Sequence, residues 1–176
     1  MIEILEILVS LIFFGNKVFI LLERKFGWLL GVVAAALAVI YFYRIELQIY
    51  MVLEASLVVL MGYGYFKRDL ENPRVEFVIR FVIMVVMLVL AMFAYNGLIT
   101  MIELLSSFGM LWGTYFLTHK RVRWGWILYG VAHLLAARLG YQKDQDFFAD
   151  FQLASAIVSF IGASKKIGVT TKEATS

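Results

Sequence analysis

Seven apolar stretches, each close to the length of a bilayer-crossing helix, follow one another along the 176-residue chain with only a few polar residues between them. They cover roughly 2–22, 27–43, 47–66, 75–95, 97–118, 125–141 and 147–163. About 17–25 predominantly apolar residues are what an α-helix needs to cross the hydrocarbon core. The expectation is an all-α integral membrane protein with seven transmembrane helices. Composition agrees, at 62% hydrophobic and 16% charged, against roughly 45–50% apolar in a soluble domain. Breaks as short as Glu23-Arg24-Lys25 and Arg44-Ile45-Glu46 force consecutive helices to be antiparallel neighbours. The longest break, "KRDLENPRVE", holds the single proline, Pro73.

Seven spans put the two termini on opposite sides of the bilayer, and the basic residues orient them. Eleven of the sixteen fall on one side: Arg24, Lys25, Lys67, Arg68, Arg74, Lys120, Arg121, Arg123, Lys165, Lys166 and Lys172. Arg44 and Lys143 fall on the other, while Lys17, Arg80 and Arg138 lie inside the spans. The positive-inside rule then predicts a cytoplasmic C-terminus and an outer N-terminus. On the same reasoning the net charge of +3 reflects cytoplasmic lysine and arginine rather than a nucleic-acid partner. The first apolar run lacks the basic flank and small-residue cleavage site of a signal peptide, and is expected to stay as a helix.

Displacing the chain by 98 residues exposes a repeat. Residues 25–67 and 123–165 align without a gap and share ten identities, among them Gly27/Gly125, Trp28/Trp126, Tyr43/Tyr141, Gly64/Gly162 and Lys67/Lys165. Two apolar helices share letters by chance, but the lengths of segments and the polar breaks agree as well. The pattern predicts a first three-helix repeat over 1–68 and a linker with the fourth helix over 69–96. A second repeat over 97–166 and a cytoplasmic tail over 167–176 follow. Three helices reverse direction, so the linker lets both repeats run the same way. This is the parallel, 3+1+3 arrangement whose substrate sites lie near the midplane between the halves.

An ionisable group deep in a span costs a few kcal/mol and is a functional candidate for that reason. Glu54 is the eighth residue of its segment, about 12 Å down at 1.5 Å per residue, with no cation near it in sequence. Protonation, or a bond to another helix, would account for it equally well. His133 sits comparably deep, and Trp126, Tyr129 and His133 share one helical face at i, i+3 and i+7. Such a stripe suits a flat ligand, stacked on rings and hydrogen-bonded at its edge; Trp126 alone is equally explained by an interfacial aromatic belt. Gln152 is the repeat partner of Glu54. Asn16, Lys17, Arg80 and Arg138 either are buried or snorkel to an interface. Gly62 and Gly64 are read as close-packing positions. Glu3, Glu6, Glu46, Glu103, Asp144, Asp146 and Asp150 gather near the outer side as a solvated, acidic rim. Without cysteine, and with His119 and His133 far apart, the chain implies no metal site and no cofactor. No nucleophile–base arrangement is legible, so the chain reads as non-enzymatic.

These residues resemble the PnuC family of bacterial nicotinamide riboside transporters and its vitamin-transporting relatives, over nearly the whole chain. In the first repeat, "EASLVVLMGYGYF" follows the family pattern of a polar residue and, nine positions on, Tyr-Gly-Trp; here these are Glu54 and Tyr63-Gly64-Tyr65. In the second, Trp126, Tyr129 and His133 match a tryptophan, a second aromatic and an asparagine at the same spacing. The resemblance implies a SWEET-like 3+1+3 fold in the bacterial inner membrane and facilitated diffusion of a nucleoside-like vitamin. It also implies that the family's substrate-contacting glutamine and asparagine carry over to Glu54 and His133, and with Tyr63, Trp126, Tyr129 and Gln152 these make up the expected substrate-binding residues. The family's glutamine and asparagine have become Glu54 and His133, which leaves the ligand open among nicotinamide riboside, another cationic ring such as thiamine, and riboflavin. A non-transporting scaffold or accessory subunit, and assembly as a homo-oligomer, remain alternatives at this level.

Overall fold

The computed structural model describes residues 2–44, 48–67, 73–97, 100–119 and 122–165. The tail over 167–176 lies outside them, as do Glu46, Arg68, Lys120, Arg121, Lys166 and Lys172. The described residues form seven helices and no strand. These are α1 (Ile2–Leu21), α2 (Lys25–Arg44), α3 (Gln48–Lys67), α4 (Pro73–Tyr95), α5 (Met101–Thr118), α6 (Val122–Gln142) and α7 (Asp146–Ser164). Each expected span coincides with one helix. Pro73 opens α4, where a missing N–H costs nothing and the fixed φ suits the first turn. Thr100 and Glu103 start α5 as a reciprocal capping box, each side chain bonded to the other's backbone N–H.

Among the described residues four helices are long and apolar enough to cross a membrane, over Glu3–Leu21, Lys25–Arg44, Pro73–Phe93 and Asp146–Ser164. The apolar stretch of α3, Tyr50–Phe66, is shorter. Helices α5 and α6 are more polar than the sequence count of seven spans assumed. Their polar residues turn inward: Ser106, Ser107, Thr114 and His133 are buried, while Phe108, Trp124, Val131 and Leu134 are exposed. The same inversion runs through the molecule. Phe77, Phe81, Leu88 and Ile157 face out, whereas Asn16, Lys17, Glu54, Gln152 and Ser159 are enclosed. A soluble domain distributes these types the other way; the arrangement is that of a helical membrane protein.

Helix contacts form a closed circuit. Consecutive helices touch within α1–α2–α3 and within α5–α6–α7, and the circuit closes through α3 against α5 and α7 against α1. Helix α4 leans on α3 and α5 from outside the circuit. At one end Glu6 of α1 accepts a hydrogen bond from the Phe148 N–H of α7 (3.1 Å). At the other, Lys165 donates to the Leu21 carbonyl (3.2 Å), so α1 and α7 run parallel.

Adding 98 to the bounds of α1, α2 and α3 reproduces those of α5, α6 and α7 to within one residue. The identities found in sequence have a steric cause. Gly64 of α3 faces the Trp28 ring, where a Cβ would lie 2.3 Å from it. Gly162 of α7 faces Trp126 in the same way, at 2.6 Å. Each indole of a second helix thus fills a notch in the third. Gly62, read in the sequence as a packing position, meets nothing within 4 Å.

Candidate functional site

Inside the circuit, side chains of α1, α3, α6 and α7 converge on a central cavity lined by Ser10, Lys17, Glu54, Tyr129, His133 and Gln152, with Phe13, Met110 and Phe148 among its apolar walls. Its volume is about 20 Å³, room for about one water. Lys17, Glu54 and His133 are each no more than 5% exposed.

Local structure explains how each group arrives there. Asn16 is fully buried and donates from Nδ2 to the Gly27 carbonyl of α2 (2.8 Å). Its amide fits because Gly31 has no side chain: a Cβ there would lie 2.7 Å from Nδ2. This fixes the face of α1, so the next residue, Lys17, projects inward rather than to an interface. The Lys17 ammonium donates to the Asn16 Oδ1 (3.3 Å) and rests 4.0 Å from the centroid of the Tyr129 ring, a cation–π contact. On α6, the Tyr129 and His133 rings stack at 5.4 Å and 23°. Thr114 donates to the Met110 carbonyl of its own helix (2.7 Å). Its oxygen is therefore left to accept from the Tyr129 hydroxyl (2.5 Å). His133 Nδ1 meets the Gln152 carbonyl oxygen of α7 at 2.5 Å, so Nδ1 carries the proton and Nε2 is left as an acceptor.

Three buried polar atoms of this cavity have no hydrogen-bond partner among the described residues: Ser10 Oγ, Glu54 Oε2 and His133 Nε2. Glu54 and Lys17 line the same cavity, yet no direct ion pair joins them among the described residues. Buried polar groups in folded proteins nearly always find partners. The three atoms face the one small space that the cavity encloses.

Of the six residues expected from sequence, Glu54, Tyr129, His133 and Gln152 meet at this cavity. Trp126 and Tyr63 lie outside it. Trp126 shares the helical face of Tyr129 but is absorbed by the Gly162 notch. Tyr63 is half-buried and lies near His119, ring centroids 6.2 Å apart. There a separate polar cluster ties α4 to α5: His119 Nε2 bonds to the Glu76 carboxylate, and Arg80 Nε donates to the Tyr115 hydroxyl (2.5 Å). Lys17 is one of the four residues, with Asn16, Arg80 and Arg138, whose placement the sequence left undecided, and it brings to the cavity a charge that Glu54 lacks along its own helix. The outer acidic rim is partly spent on structure: Glu103 caps α5 and meets Lys143 (3.4 Å), and Asp150 accepts from Tyr141 (2.5 Å). Arg138 is exposed and borders a wider, open groove on the outside of α6 and α7. That groove has no unpartnered buried polar atom among its described lining residues.

Compared with protein-family models, curated proteins and solved structures, the chain matches none in any of the three.

Proposed function

We propose that the chain is a multi-pass membrane transporter, moving a small nucleoside-like vitamin by facilitated diffusion through the centre of two parallel three-helix repeats joined by α4. The observation that carries this reading is the set of unpartnered atoms, Glu54 Oε2, His133 Nε2 and Ser10 Oγ, enclosed together at the seam of the two halves. Buried groups of this kind in a membrane bundle mark substrate paths, and parallel repeats carry such sites at their interface. The 98-residue correspondence of helix bounds and the contact circuit, unchanged when the halves are exchanged, support the 3+1+3 reading. The basic residues support an outer N-terminus and a cytoplasmic C-terminus. Resemblance to the PnuC family supports a bacterial inner-membrane setting, with Glu54 and His133 in the roles of the family's glutamine and asparagine.

A cavity of about 20 Å³ is too small for a vitamin, so transport requires the two halves to part, as rocking repeats do. The experiment is uptake of labelled nicotinamide riboside, thiamine and riboflavin into vesicles holding the purified chain. Saturable uptake of one of them, lost in Glu54→Gln and His133→Ala, is expected. Absence of both uptake and thermal stabilisation with all three would overturn the proposal. The small cavity also favours a second reading, a membrane scaffold without a path, in which the same substitutions alter stability or assembly but no ligand response.

A further inference from the structure

We infer that the substrate is an uncharged ring compound bearing an amide edge, and that Lys17 is the specificity residue that rejects cations. This rests on the transporter reading of the same cavity and narrows its substrate class. Cation–π contact with Tyr129 is the means by which an aromatic cage holds a cationic ring. Here the protein's own ammonium occupies that face, 4.0 Å from the ring centroid. Bond geometry holds it there from behind, through Asn16 Oδ1 and the Asn16 bond to the Gly27 carbonyl.

Charge balance leads to the same result. Lys17 and Glu54 are the two oppositely charged residues among the lining groups of the cavity. Their pair sums to zero whether the proton resides on the amine or on the carboxyl. A neutral guest leaves that sum untouched. A cation adds a charge with no counterpart in a site shut off from water, at a heavy desolvation cost.

The unpartnered atoms then define the guest's edge. Glu54 Oε2 and His133 Nε2 await donors, and the Lys17 ammonium, hydrogen-bonded among the described residues only to Asn16, has further N–H groups for an acceptor. An amide offers both, N–H beside C=O, and stays complementary if the proton passes from Lys17 to Glu54. The rings of Phe13 and Phe148 suit a flat body behind that edge.

Two matched pairs of probes test this on the full chain in detergent and in vesicles. Nicotinamide and 1-methylnicotinamide differ by one methyl group and one positive charge; uridine and nicotinamide riboside make the same comparison at nucleoside size. The neutral member of at least one pair should bind at least roughly tenfold more tightly than its cationic partner, read by ligand-dependent thermal stabilisation. In Lys17→Met the preference should shrink or reverse, because the Tyr129 face is freed and the Glu54 charge is left uncompensated. Equal or tighter binding of the cations by the unaltered chain would overturn the inference while leaving transport intact. Binding of a neutral probe without its uptake would do the opposite, sustaining the inference and removing the transporter reading. Failure of all four probes to bind overturns the inference. Should Lys17→Met not fold, the comparison of probes on the unaltered chain decides alone.

Discussion

Trp126 occupies the space that a side chain on Gly162 would need, and 98 residues earlier Trp28 stands in the same relation to Gly64. The two joints bind the second helix of each half to its third. Gly64→Ala and Gly162→Ala should each lower stability by about 1–3 kcal/mol, the usual range for overpacking, because a rigid indole has little freedom to yield. Gly62→Ala, on the open side of the same helix, should be neutral or slightly stabilising, since alanine is the better helix former. Thermal unfolding in detergent distinguishes the three.

Thr114 and Tyr129 form a bond in which the tyrosine donates and the threonine accepts. Thr114→Val leaves the phenol buried without an acceptor and should cost about 1–3 kcal/mol. Adding Tyr129→Phe removes the stranded donor, so the double variant should be closer to the parent than the sum of the singles. A double-mutant cycle reads this non-additivity directly.

Lys17 and Glu54 compensate one another across the cavity. Lys17→Met and Glu54→Gln alone each leave a charge enclosed by itself, with an expected loss of about 3–5 kcal/mol, as in other broken buried pairs. The combined Lys17→Met, Glu54→Gln chain should recover most of that loss while remaining inactive in uptake. If the double variant were as unstable as the worse single one, the two charges would not be acting as a pair.

His119 and Glu76 hold the first turns of α4 against the end of α5, helped by the Arg80–Tyr115 bond and the close Tyr115–His119 ring contact (4.1 Å). Helix α4 touches only α3 and α5 among the described helices, so its docking depends on few contacts. His119→Phe keeps the ring contact and removes the polar bond. Amide exchange in α4 should then rise roughly tenfold, with α6 unchanged. Hydrogen-exchange mass spectrometry of the two helices is the measurement.

Much of this was legible before any coordinates. Apolar run length located all seven helices, because in a chain this hydrophobic the polar breaks are the strongest signal present. The repeat located Glu54 and Gln152 as equivalent positions, and both line the cavity. The i, i+3, i+7 stripe groups Trp126 with Tyr129 and His133 because periodicity identifies a face of α6, and that face extends beyond the cavity on to Gly162. Lys17 was hidden by its position, four residues from the end of α1, where a lysine can equally snorkel outward. What turns it inward is the bond between Asn16 and Gly27, a contact between two helices that no single-helix pattern contains. The count of spans was less exact, since α5 and α6 carry polar residues whose inward direction depends on their neighbours.

The outside position of α4 makes the two seams of the molecule mechanically unequal. Along α3 and α5 a third helix bridges the seam; along α1 and α7 none does among the described helices, and that seam is held by the Phe14–Phe151 ring contact between two latches, Glu6 to Phe148 at one margin and Lys165 to Leu21 at the other. A book bound in this way opens from the unbound side. Under the proposed transport, spin-label distances across α1–α7 should widen on turnover while those across α3–α5 hold nearly constant, with a guest passing the two latches rather than α4.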